Sequence, residues 1–160
     1  PLATRYVQQF LRNVAWGDVD FLILDLPPGT GDIQLTIVQT AELDGVVVVT
    51  TPQEVALIDA RKAIGLFERV ETPILGIIEN MSYFQCPSDG KIYHIFGEGG
   101  GEREAAKLGV PLLGKIPLDI STRFGGDEGR PVALEDPGQN PVSAAFRQVA
   151  EQCARVVLDR

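Results

Sequence analysis

Four short, continuous apolar runs constrain this chain more than any other feature. They are Phe21-Leu22-Ile23-Leu24, Val46-Val47-Val48-Val49-Thr50-Thr51, Ile74-Leu75-Gly76-Ile77-Ile78 and Leu112-Leu113-Gly114-Lys115-Ile116. Runs of this kind mark strands buried on both faces, and the β-branched second run is the clearest of them. Helical spacing fills the intervals. Tyr6, Phe10, Leu11 and Val14 predict an amphipathic helix over roughly residues 3–14. Thr36 to Glu42 predicts a second. Val55, Ile58, Ile64, Phe67 and Val70 line one face of a third, with Lys62 and Arg69 outside it. A fourth runs from Glu102 to Leu108 and ends at Gly109, which suits a left-handed C-terminal position. Asn140 is placed to cap a last helix, with Pro141 in its first turn and Val142, Phe146, Val149, Cys153 and Val157 on its apolar face. Strands alternating with helices imply parallel βαβ units, so the expected fold is α/β: a doubly wound, mainly parallel sheet flanked by helices. Periodicity fails over residues 80–101 and 125–139, which read as irregular loops.

Bulk properties narrow the function classes. The 160 residues suit one domain able to bury roughly 70% of its unfolded surface. A net charge of −8 argues against nucleic-acid or anionic-membrane partners, which need a basic face. Two cysteines, Cys86 and Cys153, make no disulfide framework. No apolar run reaches the ~18 residues of a membrane span, and no signal-peptide pattern is present; the reading is cytoplasmic. The chain begins at Pro1 within a helical pattern, and the expectation is a piece of a longer domain.

The richest stretch for chemistry is Asp20 to Asp32, DFLILDLPPGTGD. Ligands of open α/β sheets sit at the carboxyl ends of the strands, where Asp25 follows its apolar run. An aspartate so placed suits Mg²⁺, a hard cation that takes oxygen ligands, often through water. Pro27 and Pro28 fix φ and offer no N–H. Gly29 then presents an unhindered N–H to a terminal phosphate, and Gly29 with Gly31 lets the loop move when that phosphate leaves. The plainer alternative is a strand-to-helix turn with Asp32 as the N-cap.

The complementary phosphate loop would read G-x-x-x-x-G-K-[ST]. Gly109 to Lys115 matches its first seven positions, but Ile116 replaces the hydroxyl residue and an apolar strand lies between the glycines. Gly97-Glu-Gly-Gly-Gly101 precedes a helix as a phosphate nest would, yet Glu98, Glu102 and Glu104 surround it; a flexible turn is expected there. Neither stretch is read as a phosphate-binding loop.

DLPPGTGDIQLT, VVVTTPQEVALIDARKAI, GIIENMSYF and IFGEGGG together resemble the Mrp/ApbC group of iron–sulfur cluster carrier ATPases, relatives of MinD and ParA among the P-loop ATPases. The resemblance spans about Arg5 to Val157. It implies the C-terminal portion of a single nucleotide-binding α/β domain, without the two-lysine glycine loop and first switch that precede this region in the family. It further implies that Asp25 holds the magnesium shell and that Gly29 faces the γ-phosphate. Asn80 is implied to recognise adenine, with Pro117 and Asp119 packing near the base. An amide suits that task because it donates and accepts together; on its own, Asn80 reads as a turn residue and Pro117 as a strand terminator.

Family members commonly carry Cys-x-x-Cys after the ENMS segment, one motif per subunit of a homodimer, giving four thiolates to a bridging cluster. Here the string is Cys86-Pro87-Ser88-Asp89, so the second position is a carboxylate, a poor match for a thiolate-preferring cluster. Cys86 therefore stands as a metal-ligand candidate with an incomplete set. His94 reads as a local hydrogen-bonding residue, and Cys153 as core. The expected function is an ATP-binding and hydrolysing iron–sulfur cluster carrier or assembly factor, with ATP, Mg²⁺ and an iron–sulfur cluster as ligands. Its expected partners are client or scaffold proteins and a second copy of itself. The alternatives are a MinD/ParA-like positioning or partitioning ATPase, or a fragment inactive by itself.

Overall fold

The computed structural model describes residues 2–26 and 31–159. In chain order it contains α1 (Leu2–Asn13), α2 (Asp32–Thr40), β1 (Val46–Thr50), α3 (Glu54–Arg69), β2 (Ile74–Glu79), β3 (Phe84–Gln85) and β4 (Ile92–Tyr93). Then follow α4 (Gly100–Leu108), β5 (Leu112–Lys115), α5 (Ile120–Asp127), a 3-10 turn at Val132–Leu134, and α6 (Pro141–Leu158).

Strands β1, β2 and β5 form a sheet in that order, and both pairings are parallel. The register sets the faces. Val48 pairs with Ile77, and both join Ala60 and Ile64 of α3 and Ala105 of α4 in one apolar cluster. Ile78 pairs with Gly114 and points to the opposite face, where α6 lies. A Cβ on Gly114 would stand 2.5 Å from Val149 Cγ2, so glycine here is what lets α6 approach the sheet. Helices thus cover both faces, as parallel strands require.

Local chemistry sets the helix ends. Asn140 Oδ1 accepts from the N–H groups of Val142 and Ser143 at 2.8 and 3.3 Å, with Pro141 at the first turn. Gly109, at φ +67°, closes α4.

Three expectations need correction. Phe21 to Leu24 forms no strand: residues 14–26 hold neither helix nor strand, and Ile23 is 88% exposed. A strand exists only by pairing, and among the described residues none of the sheet strands pairs with this run. The segment 80–101 is not wholly irregular, because β3 and β4 pair there as a short antiparallel hairpin. The stretch 125–139, in turn, is not wholly irregular: α5 runs into it as far as Asp127, and the 3-10 turn lies at Val132–Leu134. Helix α1 forms as expected but packs against α2, leaving Tyr6 and Phe10 about half exposed.

Candidate functional site

The carboxyl ends of the three sheet strands are laced together by backbone hydrogen bonds. Asn80 N donates to Thr50 O at 2.7 Å, joining β2 to β1. Ile116 N donates to Glu79 O, Ser82 N to Ile116 O (both 2.9 Å) and Leu118 N to Tyr83 O at 2.7 Å, so residues 80–83 run on beside 116–118. This brings Asn80 and Pro117 to neighbouring strand ends. Asn80 Oδ1 accepts from Met81 N at 2.9 Å, and Met81 takes a left-handed φ of +52°. The side-chain amide is thereby held in a fixed orientation at the end of the sheet.

Asp119 has a definite structural task as the N-cap of α5. Its Oδ2 accepts from Thr122 N at 2.8 Å, from Thr122 Oγ1 at 3.1 Å and from Ser121 Oγ. Burial opposes its charge, but the donors at Ser121 and Thr122 hold the carboxyl below the usual range. A carboxylate committed to three donors positions the loop after β5.

Cys86 lies at the turn of the β3–β4 hairpin. Its N–H donates to Lys91 O and its carbonyl accepts from Gly90 N. Sγ lies 3.0 Å from Ser88 Oγ. That hydroxyl, with the N–H groups of Ser88 and Asp89, holds the thiol below its ordinary range. A thiol so biased toward thiolate is the reactive, metal-competent form of cysteine. Asp89 accepts from Lys91 N at 3.0 Å, which holds its carboxyl low as well. His94 is exposed, and its Nε2 sits 3.6 Å from Glu98 Oε1, beyond hydrogen-bond distance.

Asp25 is exposed on the segment without secondary structure. Gly29 lies in 27–30, outside the described residues. Among the described residues no group of three or more His, Cys, Asp or Glu side chains could hold a metal ion. Both glycine decoys have structural explanations: Gly109 to Lys115 is a helix C-cap running into β5. The Gly97–Gly101 stretch is no simple flexible turn, since Gly100 and Gly101 are buried in the first turn of α4 and a Cβ on Gly100 would lie 2.5 Å from Pro52 O.

Two features escape the apolar patterning. Glu79, fully buried at the end of β2, accepts from Ser82 Oγ at 2.5 Å and from Gly101 N at 2.6 Å. Thr51 Oγ1, just past β1, is buried with no hydrogen-bond partner among the described residues. The charge closing an otherwise apolar run was the one available signal for Glu79.

Parallel strands flanked by helices on both faces, with the Asn80 amide at their carboxyl ends and a short hairpin carrying Cys86 beyond, define an α/β domain of the P-loop NTPase type. The comparisons give the family. Residues 1–154 match the ParA family model described as NUBPL iron-transfer P-loop NTPase, and the chain belongs to that family. The chain is 50% identical over 151 residues to the iron-sulfur cluster carrier protein of Pyrococcus furiosus, covering 94% of this chain and 50% of that one. It is 49% identical over 154 residues to the Escherichia coli K12 protein of the same name, covering 96% and 42%. The chain thus spans about half the length of the curated relatives it matches. Among solved structures, a nucleotide-binding protein from Archaeoglobus fulgidus in complex with ADP superposes with TM-score 0.73 at 43% identity, over 81% of this chain and 53% of that one.

Proposed function

We propose that this chain contributes the base-recognition and cluster-carrying portion of an ATP-dependent iron–sulfur cluster carrier. The observation that carries the reading is the placement of Asn80 and Cys86 on one excursion from β2, the amide at the sheet end and the low-lying thiol on the hairpin. The names of the relatives and the ADP complex of the Archaeoglobus fulgidus protein support it. In this reading Asn80 and the Pro117 segment hold adenine. Asp25 and Gly29 belong to the magnesium and γ-phosphate switch, and hydrolysis there is coupled to cluster loading or release. The cluster is cargo. One chain offers it Cys86, and a homodimer brings two thiolates with two Asp89 carboxylates alongside, fewer thiolates than a four-cysteine set.

The test is anaerobic reconstitution with iron and sulfide, read by the thiolate-to-iron absorption bands. The expected result is a chromophore in the wild-type chain that is lost in Cys86→Ala. An unchanged spectrum in that variant removes Cys86 from the ligand set.

A further inference from the structure

The buried carboxylate of Glu79 grips both ends of the excursion that carries Cys86. The chain leaves the sheet after β2 and returns at α4. Ser82, three residues into the departure, donates to Oε1, and Gly101, at the return, donates to Oε2. Glu79 is 0% exposed, so its carboxyl oxygens need hydrogen-bond partners within the fold. Ser82 Oγ and Gly101 N supply them. Gly101 N belongs to the first turn of α4, where N–H groups have no acceptor within the helix. The N-cap residue of α4, Gly99, offers no side-chain acceptor. Glu79 therefore serves as the cap of α4 from a different element.

The glycines complete the fit. A Cβ on Gly101 would lie 3.1 Å from Glu79 Cβ and 3.2 Å from Oε2. A Cβ on Gly100 would meet the Pro52 backbone. A side chain at Gly101 would crowd the carboxylate by a few tenths of an ångström. The same residue's neighbour is Asn80, tied through its N–H to Thr50 O.

We infer that Glu79 is a positioning residue that fixes the Cys86 hairpin to the base-binding end of the sheet, so that the amide of Asn80 and the thiol of Cys86 move as one body. The significance of that coupling rests on the carrier reading above; the anchoring does not. Amide hydrogen exchange read by mass spectrometry on the wild-type chain, Glu79→Ala and Glu79→Gln tests it. In Glu79→Ala, peptides across 80–101 should exchange about tenfold faster or more, while α3 peptides change by less than about twofold. Gln retains an oxygen for Gly101 N and an NH₂ for Ser82 Oγ, so Glu79→Gln should recover most of the protection. A rise spread equally over α3 and α6, or no rise across 80–101, would overturn the inference. If Glu79→Ala does not fold, Ser82→Ala and Gly101→Ala loosen the same clamp from its outer side and are read by the same pattern. A wild-type chain that forms no cluster while Glu79→Ala still frees the hairpin would refute the carrier reading and leave the anchor standing.

Discussion

Arg61 on α3 holds Glu104 on α4 at two points, Nη2 to Oε1 at 2.6 Å and Nε to Oε2 at 2.9 Å. Glu104 is 5% exposed, and Lys107 adds a third contact to Oε1 at 2.8 Å. The pair fastens the helix that Glu79 caps onto the helix that follows β1. Replacing Arg61 by Met leaves the buried carboxylate with Lys107 alone, so the variant should unfold at a lower urea concentration than the wild-type chain. An unchanged urea midpoint would mean that solvent already screens the contact.

The same contact predicts an acid limit. The Arg61 guanidinium foremost, against the opposing effect of burial, holds the Glu104 carboxyl at about 2, from an ordinary value of 4.5. The folded state thus binds fewer protons than the unfolded one between those values. The stability conferred is complete above about 4.5 and drains as pH falls toward about 2. Its size should be about 2 kcal/mol, below the full linkage value because Arg61 and Lys107 are partly in solvent. Denaturation midpoints followed from pH 6 downward should fall more steeply in the wild-type chain than in Glu104→Gln; parallel curves would contradict this.

Gly114 is predicted to be intolerant of any side chain. Alanine there drives a methyl to 2.5 Å from Val149 Cγ2, where α6 packs on β5. Overpacking of this kind costs about 1–3 kcal/mol. Val149→Ala opens the space, so the double variant should be more stable than the sum of the two single losses predicts. Additive losses in chemical denaturation would show that the clash is relieved by some other movement.

These contacts explain which parts of the fold were legible beforehand. The runs at 46–51, 74–78 and 112–116 became strands because each has a parallel neighbour, and Asn140-Pro141 capped α6 because its chemistry is local. The run at 21–24 is equally apolar and stays outside the sheet, since pairing is a property of the neighbour and not of the run. Glu79 and the glycines of α4 were illegible for a related reason. Their partners lie 22 residues apart in the chain, and glycine's role is to be absent from a space that only the folded structure defines. At the strand ends, the cap that Asp119 gives to α5 was illegible as well, because the two glycines of α5 obscure its helical pattern.

That cap gives a further prediction. Asp119→Ala should cost about 1 kcal/mol through the loss of acceptors at the start of α5, while Asp119→Asn, a comparable cap, should retain most of it. If Asp119 instead acts on a nucleotide, Asp119→Asn should weaken nucleotide binding with stability unchanged. Parallel thermal denaturation and nucleotide titration of the two variants separate these roles.

The two cysteines should differ in the pH dependence of their alkylation, and the difference bears on which of them can hold metal. Donors from Ser88 and from the N–H groups of the turn favour the Cys86 thiolate, so its reactivity should rise at lower pH than that of an ordinary thiol. Cys153 lies half-buried in α6, where burial pushes its thiol up. Iodoacetamide labelling followed by peptide mass spectrometry should therefore modify Cys86 first, with its midpoint at lower pH than that of Cys153. In Ser88→Ala the loss of the hydroxyl should move that midpoint upward, leaving Cys153 unaffected. A Cys86 profile indifferent to Ser88 would mean that the 3.0 Å contact does not stabilise the thiolate, and the hairpin would lose its main qualification as a ligand-bearing element.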